Sequence, residues 1–319
     1  MIILTGGAGF IGSCFLKYLN KKGYSDILVV DNLSTSSKWK NLVGKNFSNY
    51  IQKQEFINNL NKFADKDIEA IFHFGACSST TEKDIDYLMW NNYHYSIKLA
   101  EFAISKSIPF IYSSSAATYG NGENGYNDDT FHSLRPLNGY GFSKHLFDLW
   151  VLNNKFESQL TGIKFFNVFG PNEYHKENMA SMVFKSFHQV LDTKTISLFK
   201  SYNSKYADGE QLRDFIYVKD AIEVVWQLFD KKISGIFNLG TGVAHTWNQL
   251  ATAIFQTLKL PVNIKYIEMP DDIKKQYQYF TQADMQKLKL SGVDYQFSSL
   301  EESVDDYINN HLLQDNIYF

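Results

Sequence analysis

The apolar run Met1-Ile2-Ile3-Leu4 leads directly into TGGAGFIG, which places glycines at positions 6, 9 and 12. A short apolar run, three evenly spaced glycines and a resumed amphipathic period admit few local folds: a buried strand, a tight turn with exposed main-chain N–H groups, and a helix. Phe10 to Lys22 supplies the helical period, with Phe10, Ile11, Cys14, Phe15, Tyr18 and Leu19 on one face. The next apolar run, DILVVD, ends on Asp31, nineteen residues after Gly12. Strand, glycine turn, helix and a following acid are the context in which such a turn holds a dinucleotide pyrophosphate at the positive end of a helix. The spacing is GxxGxxG, one residue longer than the commoner GxGxxG.

The same alternation continues for about 170 residues. Strands are predicted at 1–5, 26–31, 68–74, 108–113 and 162–166, with helices near 10–22, 84–106 and 140–157. Repeated strand and helix imply parallel pairing through right-handed crossovers, so the fold class expected is a doubly wound α/β (Rossmann) sheet with a smaller α/β substrate-binding domain. Beyond Pro171 the rhythm breaks into polar loops, a helix near 178–192 and an aperiodic loop from Ser201 to Gln211. Two further βα pieces, Phe215 to Leu228 and Ile236 to Phe255, either extend the first sheet or open a second one. The division expected is 1–170, joined by 214–243, for the dinucleotide and mainly 171–319 for the substrate, with the ligand in the cleft between them.

With 319 residues, the chain is long enough to bury a large core without disulfides or metals. A net charge of −3 gives no electrostatic reason to expect a nucleic-acid or membrane partner. Two cysteines, Cys14 and Cys77, cannot make a disulfide framework or a paired metal site, so no metal is expected and a reducing cytoplasm is the expected location. No basic leader with an apolar core and no apolar run of 18 residues appears.

Tyr140-Gly-Phe-Ser-Lys144 sets a phenol and an ammonium four residues apart on one helical face. A cation near a phenol that ordinarily ionises near ~10 is expected to ease its deprotonation and suit it to acid/base work on a hydroxyl. Ser113-Ser-Ser115 closes the strand IPFIYS at the end that faces the ligand crevice of such sheets. Serine-ended strand, YxxxK and dinucleotide turn together resemble the extended short-chain dehydrogenase/reductase superfamily. That resemblance implies a triad of Ser115, Tyr140 and Lys144, with Lys144 also on the nicotinamide ribose.

Within the superfamily, GACSSTTEKD (75–84), SSSAATYG (113–120), PLNGYGFSK (136–144), FFNVFGPNEYHKENMAS (165–181) and IFNLGTG (236–242) are similar to the ADP-L-glycero-D-manno-heptose 6-epimerase family. These segments span nearly the whole chain. The family inverts C6 of an ADP-linked heptose, converting ADP-D-glycero-D-manno-heptose to the L-glycero form for lipopolysaccharide. Inversion at an unactivated carbinol requires hydride removal to a C6 ketone and hydride return to the other face. One acid/base cannot serve both faces, and the family's second base falls on Lys176.

The resemblance further implies a cofactor set of Gly6, Gly9, Phe10, Ile11, Gly12, Asp31, Asn32, Lys38, Lys53, Phe74, Gly75, Ala76, Cys77, Ser78, Asn91, Tyr140, Lys144, Val168 and Lys176. Its substrate set is Asn167, Asn178, Lys185, Phe199, Lys200, Ser201, Tyr202, Arg213 and Tyr277, of which Arg213 suits a diphosphate best on chemical grounds. Phe74 replaces the Glu or Gln usual in the family, Asn178 and Lys185 replace Ser and His, and the loop before Arg213 is longer. Asp31 favours a free 2′-hydroxyl and NAD, whereas Lys38, Lys53 and Asn32 match positions near a 2′-phosphate; NADP is the cofactor expected and NAD the alternative. A homo-oligomer, a pentamer by resemblance, is expected.

Competing readings are a UDP-hexose 4-epimerase, which would not need Lys176, and a non-catalytic cofactor-binding protein, which would not need Tyr140 or Lys144. Ala116 and Ala117 stand where a dehydratase would want carboxylates.

Overall fold

The computed structural model describes residues 1–274 and 277–319. Its strands are β1 (Ile2–Thr5), β2 (Ile27–Asp31), β3 (Asn49–Gln52), β4 (Ala70–His73), β5 (Phe110–Ser115) and β6 (Leu160–Phe165), then β7 (Asn167–Phe169), β8 (Ile196–Phe199), β9 (Leu212–Tyr217), β10 (Gly235–Leu239), β11 (Ala244–Thr246) and β12 (Ile264–Ile267). Seven of them form one parallel sheet in the order β10-β6-β5-β4-β1-β2-β3. β1, β2, β4, β6 and β10 are buried at every residue, which is why they read as unbroken apolar runs rather than as alternation.

Helices cover both faces. The principal ones are α1 (Phe10–Lys21), α2 (Tyr95–Ser105), α3 (Gly139–Asn153), α4 (Met182–Thr193), α5 (Val218–Asp230), α6 (Trp247–Thr257) and α7 (Leu300–Tyr307). On one face Leu4 and Phe72 of the sheet belong to a core with Phe15 of α1 and Val225 of α5. On the other, Ile3, Ile71 and Tyr112 pack with Leu99 of α2 and Phe147 of α3. The chain leaves β1 toward one edge of the sheet and returns through β4 on its other side, so the ends of β1 and β4 flank the crevice where such sheets bind ligands.

Of the two later βα pieces, β10 extends the large sheet, while β9 joins a three-stranded sheet, β11-β9-β7, beside it. β8 and β12 pair separately. The helix expected over 84–106 is interrupted: Met89–His94 forms a π-helical turn between Ile85–Leu88 and α2. The helix expected near 178 starts at Met182, because Tyr174–Met179 is a 3-10 turn with Glu177 at φ 48°. β3 and the short helix Lys53–Asn58 lie in a stretch for which no element is predicted. No helix among the described residues is long and apolar enough to cross a membrane.

Candidate active site

The glycine turn is built by crowding. A Cβ on Gly12 would stand 2.1 Å from the Gly6 carbonyl oxygen, and one on Gly6, which has φ 72°, would stand 2.5 Å from the Gly75 nitrogen. The turn after β1 is thereby pressed against the segment after β4, and the first turn of α1 opens between them. Gly9 gives that helix no side-chain cap, whereas Asn138, Ser181, Thr246 and Ser299 cap α3, α4, α6 and α7. An uncapped first turn keeps N–H groups for an anionic ligand, so the cradle fits a dinucleotide pyrophosphate.

Gly12→Ala is expected to force the turn open at a cost of about 1–3 kcal/mol, a loss of about 5- to 150-fold in dinucleotide affinity if all of it falls on the bound state. Fluorescence titration checks this; wild-type affinity would count against the cradle.

A cavity of about 580 Å³ extends from this turn. Its walls include Gly6, Gly9, Phe10, Ile11, Gly12, Asp31, Asn32, Lys38, Lys53, Phe74, Gly75, Ala76, Ser78, Asn91, Ser115, Tyr140, Val168 and Lys176. Of the residues expected around the cofactor, Cys77 and Lys144 are not on these walls. Cys77 exchanges main-chain hydrogen bonds with the Asn92 side chain at 2.8 and 3.0 Å, and Lys144 is 1% exposed. Asn92 also donates to Ser143 Oγ at 3.0 Å, so the π-helical turn ties the segment after β4 to α3. Such turns recur at functional sites because they re-aim side chains within a helix.

At the β2 end, the Asp31 carboxylate accepts the Ala8 N–H at 2.9 Å and the Lys38 ammonium at 2.6 Å. Lys53 donates to Asn91 Oδ1. Ser34 and Ser36 also line this end; the sequence reading missed them, although the polar run NLSTSS after Asp31 was the available signal. Phe74 packs its ring against Phe15 at 5.6 Å and Phe165 at 6.4 Å, so an aromatic contact stands where a polar side chain is usual.

At the other end, Ser115 closes β5 and Tyr140 lies in the first turn of α3, whose cap, Asn138 Oδ1, accepts the Gly141 N–H at 2.8 Å. The expectation of an eased phenol is corrected by the structure: burial raises the Tyr140 pKa, with the Ser115 hydroxyl partly offsetting it. Lys144 is enclosed as well; burial lowers its pKa to about 8 against the pull of Asp148. Lys176 is also on the cavity wall, with its Nζ 5.5 Å from the centre of the Phe10 ring. Burial lowers its pKa too, opposed by Glu173. His175, also on the wall, stands next to Lys176 in the segment 165–181 but was not singled out.

None of the nine residues expected around the substrate is on these walls. Arg213 is 6% exposed, donates to the Leu212 and Gln278 carbonyls, and stacks over Trp247 and Tyr277 at 5.6 and 5.2 Å. Tyr277 OH accepts the Trp247 indole N–H at 2.9 Å. Asp214 and Asp220, possible ion-pair partners, are committed elsewhere: Asp214 to Thr241, Gly242 and Ala283, Asp220 to Tyr295 and Ser298. Lys200 pairs with Glu268 at 2.6 Å, and Tyr202 donates to the same carboxylate. Phe199 and Ser201 flank Lys200. Lys185 donates to the Asn178 carbonyl at 2.6 Å, and Thr281 donates to Asn167 Oδ1 at 3.3 Å.

The model of the NAD dependent epimerase/dehydratase family matches residues 2–240. The ADP-L-glycero-D-manno-heptose-6-epimerase of Nitratidesulfovibrio vulgaris (strain DP4) is 48% identical over 316 residues, covering 98% of each chain. The enzyme of the same name from Fusobacterium nucleatum subsp. nucleatum is 46% identical, with 100% of each chain covered. The crystal structure of Helicobacter pylori ADP-L-glycero-D-manno-heptose-6-epimerase superposes with a TM-score of 0.82 at 31% identity, covering 97% of this chain and 95% of that one. The relatives' shared name is that of an isomerase of a nucleotide sugar, and the family's description names a nicotinamide cofactor. The chain belongs to the NAD dependent epimerase/dehydratase family and groups within it with the ADP-L-glycero-D-manno-heptose-6-epimerases.

Proposed function

We propose that the chain inverts C6 of ADP-D-glycero-D-manno-heptose to give ADP-L-glycero-D-manno-heptose, with NADP as cofactor, for lipopolysaccharide core assembly. The observation that carries the reading is the presence of two proton-handling side chains, Tyr140 and Lys176, on the walls of one cavity. When bound, the nicotinamide supplies reversible uptake of hydride from C6. The glycine turn and the first N–H groups of α1 would hold the pyrophosphate.

Inversion requires the C6 oxygen to lose a proton in one orientation and regain it in the other. Tyr140, oriented by Ser115, serves one face; Lys176, whose burial shifts it toward the neutral form, serves the other. Lys38, already beside Asp31, together with Ser34, Ser36 and Asn32, offers a 2′-phosphate a neutralised carboxylate and hydrogen-bond donors, which supports NADP. Residues 1–170, with 214–243, hold the dinucleotide, and 171–319 mainly hold the sugar nucleotide. The working unit is a homo-oligomer.

Lys176→Met is expected to lower C6 inversion by about 10²-fold or more, with cofactor content unchanged. NMR of ADP-D-glycero-D-manno-heptose incubated with purified protein reads the inversion, and the nucleotide released from the same preparation identifies the cofactor. Near-normal inversion by the variant would reject the second base; conversion of UDP-glucose in place of the heptose would reject the substrate.

A further inference from the structure

Lys176 sits in a turn that is strained on both sides and clamped from beneath. Asn172 (φ 73°) and Glu177 (φ 48°, ψ −118°) flank it, and a non-glycine residue holds such angles only where its surroundings over-determine them. Asn172 is wholly buried. Its amide donates to Ser13 Oγ of α1 at 3.0 Å, its side-chain oxygen accepts the Phe319 N–H at 2.9 Å, and its carbonyl accepts Asn41 Nδ2 at 3.0 Å. Asn41 also donates to the Ala8 carbonyl of the glycine turn, so the two turns are joined through one amide. Tyr174 OH donates to the Ile317 carbonyl at 2.6 Å.

The centre of the clamp is Glu173, a carboxylate only 1% exposed. Its Oε1 accepts the Gly170 N–H at 3.3 Å, where the chain leaves β7, and the Ser181 hydroxyl at 2.7 Å; its Oε2 accepts the Ser181 N–H. Ser181 is the N-cap of α4, so one buried carboxylate fastens the entry and exit of the whole 170–181 turn. Lys176 closes the turn inside this loop by donating its own N–H to the Glu173 carbonyl at 2.9 Å. A buried carboxylate bonded to donors at both ends of one turn, with the buried Tyr307 hydroxyl of α7 close by, is an expensive feature for a surface loop, and the side chain it presents is the one facing Phe10 and the cavity.

We infer that Glu173 is a positioning residue that fixes the turn presenting Lys176 to the substrate, and thereby governs the half of the inversion in which Lys176 moves the proton. The inference rests on Lys176 being the second base. Its carboxylate also favours the Lys176 ammonium against burial, so it acts on both place and charge.

The test is single-turnover hydride removal followed by nicotinamide absorbance, starting separately from the D-glycero and the L-glycero sugar, because the two directions begin on different bases. Glu173→Gln keeps size but not the charge or the full acceptor set. It is expected to slow by about tenfold the one direction that Lys176→Met also slows, within the ~10²-fold that a 1 Å misplacement can cost, and to leave the other within about twofold. Equal slowing of both directions, or of neither, overturns the inference, since a merely structural role cannot choose a face. If Glu173→Gln does not fold, Ser181→Ala, which removes one contact to the same carboxylate, is read by the same criterion. A Lys176→Met enzyme fast in both directions overturns the underlying reading and this inference with it; a slow Lys176→Met beside an unaffected Glu173→Gln overturns this inference alone.

Discussion

Tyr140→Phe is expected to reduce C6 inversion in both directions by about 10²–10⁴-fold and to leave dinucleotide affinity close to that of the unaltered protein. The substitution removes one hydroxyl and keeps the ring in the first turn of α3. Burial holds the phenol in its protonated form, so the group is ready to give a proton to a C6 oxyanion and needs help to take one from a hydroxyl. That help comes from Ser115, which favours the ionised phenol, and from the positive charge of the oxidised cofactor when it is bound. Complete inversion passes through the half-reaction that Tyr140 serves whichever sugar it starts from, so both directions suffer; the one-sided loss expected at Glu173 is read in hydride removal alone. NMR measurement of inversion from each sugar, with a fluorescence titration of the cofactor, checks the pair of outcomes. Inversion within a few-fold of wild type would remove Tyr140 from the mechanism.

The cofactor end of the cavity was legible in the sequence because its parts are local. Gly6, Gly9 and Gly12 follow a strand and precede a helix within one stretch, and Asp31 ends the next strand. A central strand buried on both faces announces itself as an apolar run, as IILT and ILVVD do. β3 is the opposite case: NYIQ is a short strand at the sheet edge with no fully buried residue, so neither hydrophobicity nor alternation marks it.

The π-helical turn at Met89–His94 escapes because an inserted residue barely disturbs a helical apolar stripe, although it decides where Asn91 and Asn92 point. The turn bearing Lys176 reads only as a polar loop before a helix near 178, since its left-handed residues, Asn172 and Glu177, are set by distant partners such as Ser13 and Phe319 rather than by local sequence. Charge states escape for the same reason. The spacing of Tyr140 and Lys144 is a local fact, whereas the burial that raises one pKa and lowers the other is a property of the packed molecule.

Lys164→Met should destabilise the fold by about 3–5 kcal/mol, a larger loss than an ordinary core truncation of similar size. Lys164 on β6 and Asp148 on α3 are fully buried and meet at 2.6 Å. The ammonium also donates to Thr118 Oγ1 at 2.8 Å and lies 5.2 and 5.0 Å from the Tyr119 and Phe131 ring centres. Removing it leaves the buried Asp148 carboxylate hydrogen-bonded to the Tyr112 and Ser114 hydroxyls, at 3.0 and 2.6 Å, with Lys144 as its remaining cation. The loss is therefore that of stranding a carboxylate, not of losing an attraction, and the double variant distinguishes the two. Asp148→Asn added to Lys164→Met removes the stranded charge while the amide oxygen still accepts from a hydroxyl, so it should recover most of the stability. Non-additivity of that kind is expected for side chains in direct contact. Urea unfolding with an unchanged m-value measures both effects. A single variant less than about 1 kcal/mol below wild type, in the range of an exposed pair, would show that the site admits water and that the pair does not join β5, β6 and α3 as a dry unit beneath Ser115 and Tyr140.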